Sequence, residues 1–336
     1  MPLGAPKESR WLRAEARRDL PPAIQRRILQ AAFPNSRLLK IRPLTEGLRN
    51  SNFLLHLDNP TTTAVLRIYE HDSSLCQKEL DLFEHLASSI PVPEILYAEP
   101  QPEDGLQPFA LLRYVDAISL KELKRSGDSQ ALAQAAASAG ETLAAIGRIT
   151  FDRPGWLAPG LTVTPIFRNA DHALPFFVDS CLQNNHLQRR MSGVLRANVH
   201  DLLWSADASL SHIATESRLV HGDYGKRNLL VAQTAGHWRV TAVLDWELAV
   251  SATPLIDLGH FLRYERPCAP RLEPHFSTGF ERAGGHLPPN WRHLSRILDL
   301  AALVESLTHP ALPADVAAEI LELIRATTEN RDHRLP

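Results

Sequence analysis

The sequence predicts an α+β protein of two lobes, with a small β-rich N-terminal lobe and a larger, mainly helical C-terminal lobe. The first third of the chain is rich in short apolar or β-branched runs separated by turn residues, which is typical of strands. From residue 129 onward, helical patterns dominate. At 336 residues the chain is long enough for each lobe to have its own core.

The elements of the predicted N-terminal lobe follow from its turns and apolar runs. Residues 22–33 are expected to form a surface helix, and a second helix is expected to begin at Asp72 or Ser73 and to end before Pro91. Turns at 46–50 and 58–60 separate the first three strands. The predicted strands are 38–41, 52–57, 64–69 and 109–115, the last of which runs into a linker.

The predicted C-terminal lobe consists of helices with one strand pair among them. The strands, 229–231 and 238–244, are joined by a turn at 233–237 and belong to the segment with the clearest chemical motif. The helical patterns cover residues 130–149, 174–192, 199–217, 291–307 and 315–327.

Composition and charge exclude several classes of partner. The apolar fraction of 44% and the charged fraction of 22% are those of a globular protein, and no run approaches the about 18 apolar residues of a membrane span. The net charge of −2 argues against nucleic acid as the main partner. The scattered Cys76, Cys181 and Cys268 fit reduced thiols. We therefore expect a cytoplasmic protein that binds neither membrane nor nucleic acid, and the sequence leaves its oligomeric state open.

A polar loop that starts at His221-Gly222-Asp223 carries most of the chemical information. Asn228 follows Asp223 by five positions between apolar runs, and Asp245 ends the next strand. Phosphoryl transfer needs a carboxylate to receive the proton of an acceptor hydroxyl, and an Asn and an Asp to hold Mg²⁺ on nucleotide phosphates. Asp223 and Asn228 alone could be ordinary turn formers, but no turn requires the distal Asp245.

Arg67 and Glu79 are predicted to form an ion pair. Strand alternation over 64–69 places Val65, Arg67 and Tyr69 on one face. Glu79 falls in the middle of the apolar face of the following helix, where a carboxylate is costly unless it meets a cation. The pair is either purely structural or equivalent to the strand Lys and helix Glu that hold the α- and β-phosphates in protein kinases. Arg keeps the charge of Lys and adds a bidentate fork.

These motifs resemble those of the aminoglycoside phosphotransferase and choline kinase family, which are small-molecule kinases with a protein-kinase-like fold. The resemblance therefore implies that fold, with ATP or GTP and Mg²⁺ as cofactors. It implies Asp223 as catalytic base or hydroxyl-orienting group, Asn228 and Asp245 as Mg²⁺ ligands, and a structural role for His221. The matching residues are His221-Gly222-Asp223, Asn228 and Asp245-Trp246-Glu247.

The same resemblance implies a nucleotide site in the N-terminal lobe. Gly47 and Asn50 belong to a segment similar to the family's nucleotide-covering loop, although a plain hairpin turn has the same signal. Val65 would lie beside the base, and a hinge would bond the adenine through its backbone. The matched nucleotide-binding residues are Gly47, Asn50, Val65, Arg67, Glu79, Leu112 and Tyr114. The implied bounds are an N-terminal helical extension at 1–37, a nucleotide-binding lobe at 38–112, a hinge at 113–116 and a catalytic and acceptor-binding lobe at 117–336.

Several nearby residues keep two interpretations. Lys226 and Arg227 add charge near the transferred phosphate or form a solvated basic turn. Glu247 contacts metal or substrate, or it stabilises the loop. Asp257 matches a family Asp that braces the catalytic loop, which implies a structural role.

The expected function is an ATP-dependent phosphotransferase that acts on a hydroxyl of a small molecule. A nucleotide-binding pseudokinase without turnover is the alternative, against which the complete Asp223, Asn228 and Asp245 set argues. A protein kinase is disfavoured, because the chain shows no Gly-rich loop and no Ala-Pro-Glu segment. The acceptor is open: the 170–215 region lacks a dense acidic cluster and favours a neutral or apolar acceptor, or its apolar residues are helix-packing core.

Overall fold

The N-terminal part of the chain is a five-stranded antiparallel sheet with two helices. The computed structural model describes residues 20–44, 50–58, 61–70, 72–103, 105–165, 172–265 and 270–329. The sheet has the strand order β1-β2-β3-β5-β4. Its elements are α1 (Pro22–Ala32), β1 (Leu38–Pro43), β2 (Ser51–Leu57), β3 (Thr62–Ile68), α2 (Ser74–Leu86), β4 (Ile95–Glu99) and β5 (Phe109–Arg113).

The two faces of β3 pack against different parts of the protein. Ala64 and Leu66 are buried in a small core together with Ile28 of α1. On the opposite face, Arg67 lies 5.3 Å from the centre of the Tyr69 ring, and Tyr69 packs in the main core with residues of α2. Because successive side chains of a strand point to opposite sides, this alternation directs Arg67 toward α2 and away from α1.

The rest of the chain is mainly helical, as the fold class predicted from the sequence requires. Helix α4 packs against α9, where Gly279 lets the two backbones approach, because a Cβ there would lie 2.1 Å from the Ala137 carbonyl oxygen. The helices are α3 (Leu120–Ser126), α4 (Ser129–Ile146), α5 (Ala173–Leu182), α6 (Asn185–Arg190), α7 (Gly193–Ser211), α8 (Leu255–Leu262), α9 (Glu273–Arg282), α10 (Trp291–Ser306) and α11 (Ala314–Thr328).

The helical part also contains two small sheets of short strands. Their strand orders are β11-β10-β6 and β8-β7-β12-β9. The strand pair predicted from the sequence is β10 and β11, whose turn places Ala235 and Gly236 at positive φ. The strands are β6 (Ile118–Ser119), β7 (Gly155–Leu157), β8 (Val163–Thr164), β9 (Arg218–Val220), β10 (Leu229–Thr234), β11 (His237–Val243) and β12 (Val250–Ala252).

Several element boundaries differ from the sequence prediction. The helix predicted over 174–192 is two helices, because the Asn184 side chain accepts the backbone N–H groups of His186 and Leu187 and starts a new helix there. The helix predicted over 199–217 begins at Gly193, capped by Ser192, and ends at Ser211. The strand predicted over 109–115 ends at Arg113. Strand β4 and helices α3, α8 and α9 were not predicted.

Candidate active site

The loop between β9 and β10 presents Asp223 on a backbone that is fixed from two sides. The carboxylate of Asp257, at the start of α8, accepts the backbone N–H groups of His221 at 2.7 Å and Gly222 at 2.9 Å. Burial raises the pKa of Asp257 to about 7, although these hydrogen bonds act in the opposite direction and lower it. Gly222 has a φ of +82°, and a Cβ there would lie 2.3 Å from the Leu248 carbonyl oxygen, so the turn requires glycine.

His221 connects this loop to the end of β11. Its Nε2 lies 2.8 Å from the Leu244 carbonyl oxygen, and the Asp223 backbone N–H donates to its Nδ1 at 3.2 Å. Burial lowers the pKa of the ring, which fits a neutral imidazole with its proton on Nε2. The ring also packs on Trp246, with 4.7 Å between centroids. These contacts match the structural role that the resemblance implies for His221.

Both oxygens of the Asp223 carboxylate have partners. The Asn228 amide nitrogen lies 2.9 Å from Oδ2 and also 2.9 Å from the Asp223 carbonyl oxygen. His260 Nε2 lies 2.8 Å from Oδ1. Burial would raise the pKa of the Asp223 carboxyl, but the hydrogen bonds that it accepts from His260 and Asn228 bring it below its usual range. Asp223 is therefore ionised at neutral pH and can accept a proton.

Asp245 lies beside Asn228, because the Leu244 backbone N–H donates to the Asn228 carbonyl oxygen at 2.8 Å. Asp245 has a φ of 67°, a conformation that is unusual for a residue other than glycine and that occurs often at functional sites. Asn228 uses its amide nitrogen for both bonds to Asp223, so its oxygen is the end that can ligate a cation.

An amide oxygen and a carboxylate fit Mg²⁺, which is held by one or two carboxylates together with phosphate oxygens. Within the described residues, no group of three or more His, Cys, Asp or Glu side chains could hold a metal ion by itself. A metal ion at Asn228 and Asp245 would therefore need phosphate oxygens as further ligands.

Arg67 joins the N-terminal sheet to this site. Its Nε lies 2.9 Å from Glu79 Oε2, so the predicted pair is present, although the N–H does not point at the oxygen. Its Nη2 lies 2.6 Å from Asp245 Oδ1 and 3.4 Å from Glu247 Oε2. Burial opposes the charge of Arg67, but Glu79 and Asp245 raise the pKa of its guanidinium well above the usual value. One buried cation thus lies among three carboxylates.

The buried Glu79 is further fixed by two neutral donors. It is 1% exposed and accepts the Trp246 backbone N–H at 3.0 Å. The Tyr69 hydroxyl donates to its other oxygen. A buried charge is tolerated when it is both paired and hydrogen-bonded, and Glu79 meets both conditions.

Glu247 makes contacts of the kind that its loop-stabilising interpretation requires, and its contact with metal or substrate stays a prediction. Its carboxylate is buried and accepts the Asn50 amide N–H at 2.7 Å. Its backbone carbonyl accepts the Lys78 ammonium at 2.9 Å, and burial lowers the pKa of that ammonium to about 8. Lys78 was missed in the sequence, although it directly precedes Glu79.

The residues predicted to contact the base lie along β3 and β5. Val65 pairs with Leu112 across the two strands, and the Tyr114 backbone N–H donates to the Thr63 carbonyl oxygen at 3.1 Å. Leu112 is buried and Tyr114 is exposed. These residues are therefore neighbours across the sheet, whereas Gly47 lies outside the described residues.

Lys226 does not lie in a solvated turn. It is buried, and its ammonium donates to the Phe261 carbonyl oxygen at 2.7 Å while lying 5.1 Å from the Phe261 ring centre. The interpretation as a solvated basic turn is therefore wrong for this residue, whereas its added charge near the transferred phosphate stays a prediction. Arg227 is half-buried.

The apolar residues of the 170–215 region divide between core and surface. Leu182, Leu187 and Leu203 belong to the main core, which supports the helix-packing interpretation for them. Phe176 is 57% exposed and packs edge-on against Trp204, with 5.3 Å between ring centroids. Because these three leucines are buried in the core, they give no information about the acceptor.

Sequence comparison matches residues 40–296 to the sequence model of a family described as the phosphotransferase enzyme family. No curated protein matches the chain. Within the described residues, no helix is long and apolar enough to cross a membrane.

Solved structures of aminoglycoside phosphotransferases share the fold. One is aminoglycoside phosphotransferase APH(4)-Ia with AMP-PNP and hygromycin B, at 20% identity and a TM-score of 0.65, covering 91% of this chain and 98% of that one. Another is APH(2")-IIia with GDP and kanamycin, at 16% identity and a TM-score of 0.67, with coverages of 91% and 98%. A third is the GDP complex of aminoglycoside 2'-phosphotransferase-IIIa, at 17% identity and a TM-score of 0.66, with the same coverages.

Proposed function

Because this chain belongs to the phosphotransferase enzyme family, we propose that it moves the γ-phosphoryl group of ATP or GTP to a hydroxyl of a small molecule. The observation that carries the proposal is the convergence of Asp223, Asn228 and Asp245 at the ends of neighbouring strands, with Arg67 bonded to Asp245. Phosphoryl transfer needs little covalent help from the protein, so positioning and charge supply most of the rate.

Asp223 acts as the catalytic base or hydroxyl-orienting group. Its carboxylate is ionised, and it is fixed by His260 and Asn228, so it can accept the proton of a bound hydroxyl without moving. The acceptor oxygen then forms a bond to the γ-phosphorus, the bond from that phosphorus to the β-bridging oxygen breaks, and the nucleoside diphosphate leaves. A pKa below the usual range favours orientation of the hydroxyl over early removal of its proton.

Asn228 and Asp245 would hold Mg²⁺, which neutralises charge on the β- and γ-phosphates when it is bound. Arg67, held by Glu79, would contact the α- and β-phosphates. In the structure its Nη2 bonds Asp245, which places the guanidinium beside the groups that would hold the metal. Val65 and Leu112 would flank the base, and the backbone near Tyr114 would bond it.

The acceptor class is supported by the structural neighbours, which were solved with hygromycin B or kanamycin. These compounds carry several hydroxyl groups, so we propose a polyhydroxylated small molecule as the acceptor class. Magnesium nucleotide and one such acceptor are the partners that the proposal requires.

The test is turnover by purified protein. A thermal shift with ATP or GTP, with and without Mg²⁺, first establishes nucleotide binding, and release of nucleoside diphosphate is then measured against a panel of hydroxylated acceptors that includes hygromycin B and kanamycin. Asp245→Asn is expected to abolish turnover, and Asp223→Asn to lower it by about 10²-fold or more while nucleotide still binds.

The matched control is Asp128→Asn. Asp128 caps α4 at an exposed position, where Asn is an equally good cap, so this variant is expected to turn over like the wild type. Full activity of a folded Asp245→Asn protein would contradict the proposed function.

A further inference from the structure

His260 is a residue of α8 that the sequence motif did not include, and it lies in a continuous line of contacts that ends at Asp223. Its Nε2 lies 2.8 Å from Asp223 Oδ1. Its Nδ1 lies 3.2 Å from Arg263 Nη2. Arg263 in turn binds Asp299 of α10 through three contacts, at 2.6, 2.9 and 3.1 Å. The catalytic carboxylate is thus connected through an imidazole to a buried ion pair.

The arrangement decides where the ring carries its proton. A guanidinium only donates hydrogen bonds, so the His260 nitrogen that faces Arg263 must present its lone pair. The proton then lies on Nε2, and Nε2–H donates to Asp223. His260 is therefore a neutral donor toward Asp223. Its lone pair faces Arg263, so the ring has none with which to take a proton from an acceptor hydroxyl.

The support behind His260 is rigid. Arg263 and Asp299 have side chains that are 10% and 8% exposed, and Asp299 raises the pKa of Arg263, so the guanidinium stays charged. Gly259 lets α8 approach α10, because a Cβ there would lie 2.2 Å from the Ser295 carbonyl oxygen. The catalytic loop also packs on the ring, since a Cβ at Gly225 would lie 3.2 Å from His260 Nε2.

We propose that His260 is a positioning residue, held by Arg263 and Asp299, that fixes the plane of the Asp223 carboxylate through Oδ1 while Asn228 fixes it through Oδ2. This inference rests on the proposed function of Asp223. Two donors on opposite oxygens leave the carboxylate one orientation relative to the bound hydroxyl. A displacement of about 1 Å at such a group can cost about 10²-fold in rate.

Two substitutions separate the two sides of the ring. In His260→Gln, the amide nitrogen can take the place of Nε2 and still donate to Asp223. In His260→Asn, the shorter amide takes the place of Nδ1, so it can reach Arg263 but not Asp223. We expect His260→Gln to keep kcat within about 3-fold of the wild type and His260→Asn to lower kcat about 10-fold or more, with the KM for nucleotide unchanged in both.

Thermal unfolding of both variants separates positioning from folding, since a merely structural His260 would change stability and kcat together. Equal kcat in the wild type and in a folded His260→Asn protein would overturn the proposal. So would an equal loss in both variants, because the Gln amide would then not replace the ring donor.

A measurement that needs no turnover distinguishes failure of this inference from failure of the proposed function. In ¹⁵N-histidine-labelled protein at neutral pH, the ring signals absent from His260→Gln belong to His260. They are expected to show a protonated Nε2 and an unprotonated Nδ1, and to shift in Asp223→Asn. A proton on Nδ1 would overturn the inference. If the wild type phosphorylates no acceptor but this tautomer is observed, the proposed function fails and the contact between His260 and Asp223 stands.

Discussion

Removal of Arg67 is expected to cost considerable stability. Its guanidinium is buried within 4 Å of Glu79, Asp245 and Glu247, and two of these carboxylates are themselves at most 8% exposed. Arg67→Met keeps an apolar stem in place of the Arg side chain and removes its charge, so the buried carboxylates lose their nearest cation. Breaking a buried ion pair from one side costs about 3–5 kcal/mol, and we expect Arg67→Met to lower the free energy of unfolding by that amount.

The assay is urea unfolding at neutral pH, compared with Arg27→Met as the matched control. Arg27 lies 2.7 Å from Glu99, but both side chains of this pair are more exposed, at 36% and 22%, so its loss is expected to cost about 1 kcal/mol or less. In a Glu79→Gln background, Arg67→Met should cost about 1–3 kcal/mol less than it does alone, because one buried charge has already been removed.

Two results would refute this reasoning. One is a loss for Arg67→Met no larger than that for Arg27→Met. The other is strict additivity of Arg67→Met and Glu79→Gln, which would mean that the buried charges do not act on each other.

The remaining predictions concern the catalytic loop and the helix packing. Because burial raises the pKa of Asp257 from about 3.9 to about 7, the folded state binds more protons than the unfolded state between these values. The stability of the wild type relative to Asp257→Asn should therefore fall as pH rises from about 4 to about 7. A urea midpoint of the wild type that does not fall relative to that of Asp257→Asn across this window would contradict it. Gly222→Ala and Gly127→Ala share a positive φ, but only at Gly222 would the Cβ meet backbone, so Gly222→Ala should lose more in thermal unfolding and also lose turnover. Gly279→Ala should destabilise the protein at the α4–α9 contact by about 1–3 kcal/mol. Gly193→Ala should be neutral or stabilising, because the nearest atom to its Cβ would lie 3.8 Å away. Equal melting temperatures of the two variants would contradict this.

Local pattern was enough to predict the fold class and the pairing of Arg67 with Glu79, whereas the other nucleotide-site residues were implied by the family resemblance. The period of two along β3 placed Arg67 and Tyr69 on the face opposite Ala64, and the structure has this alternation. The period of the following helix placed Glu79 on a buried face, which required a cation nearby, and Arg67 is that cation. The spacing of Asp223 and Asn228 describes a single loop, and both side chains lie in it as expected.

Other features depend on capping and on partners that are remote in sequence. The break at Asn184 arises from one side chain that competes for backbone N–H groups, which a helical pattern over 174–192 does not reveal. Lys226 has a basic turn sequence but is buried against Phe261, because α8 crosses the catalytic loop there. Lys78 and Asn50 meet at Glu247 from elements that are far apart along the chain.

The sequence by itself determined that the chain holds two carboxylates and an amide in and after one loop, and a buried carboxylate that needs a cation, because strand and helix periods and loop spacing are local properties. These are the groups of the proposed phosphotransfer site. Only the tertiary structure decided how these groups are oriented. Arg67 contacts Asp245, which lies 178 positions later in the chain, and His260 contacts Asp223, which lies 37 positions earlier. The periodicity of a strand or a helix does not extend over such separations, so the sequence pattern does not reveal these contacts. The packing of α8 on α10 and the antiparallel sheet bring these groups to hydrogen-bond distance, since the direction of a side chain at a site follows from the element that carries it and from what that element packs against.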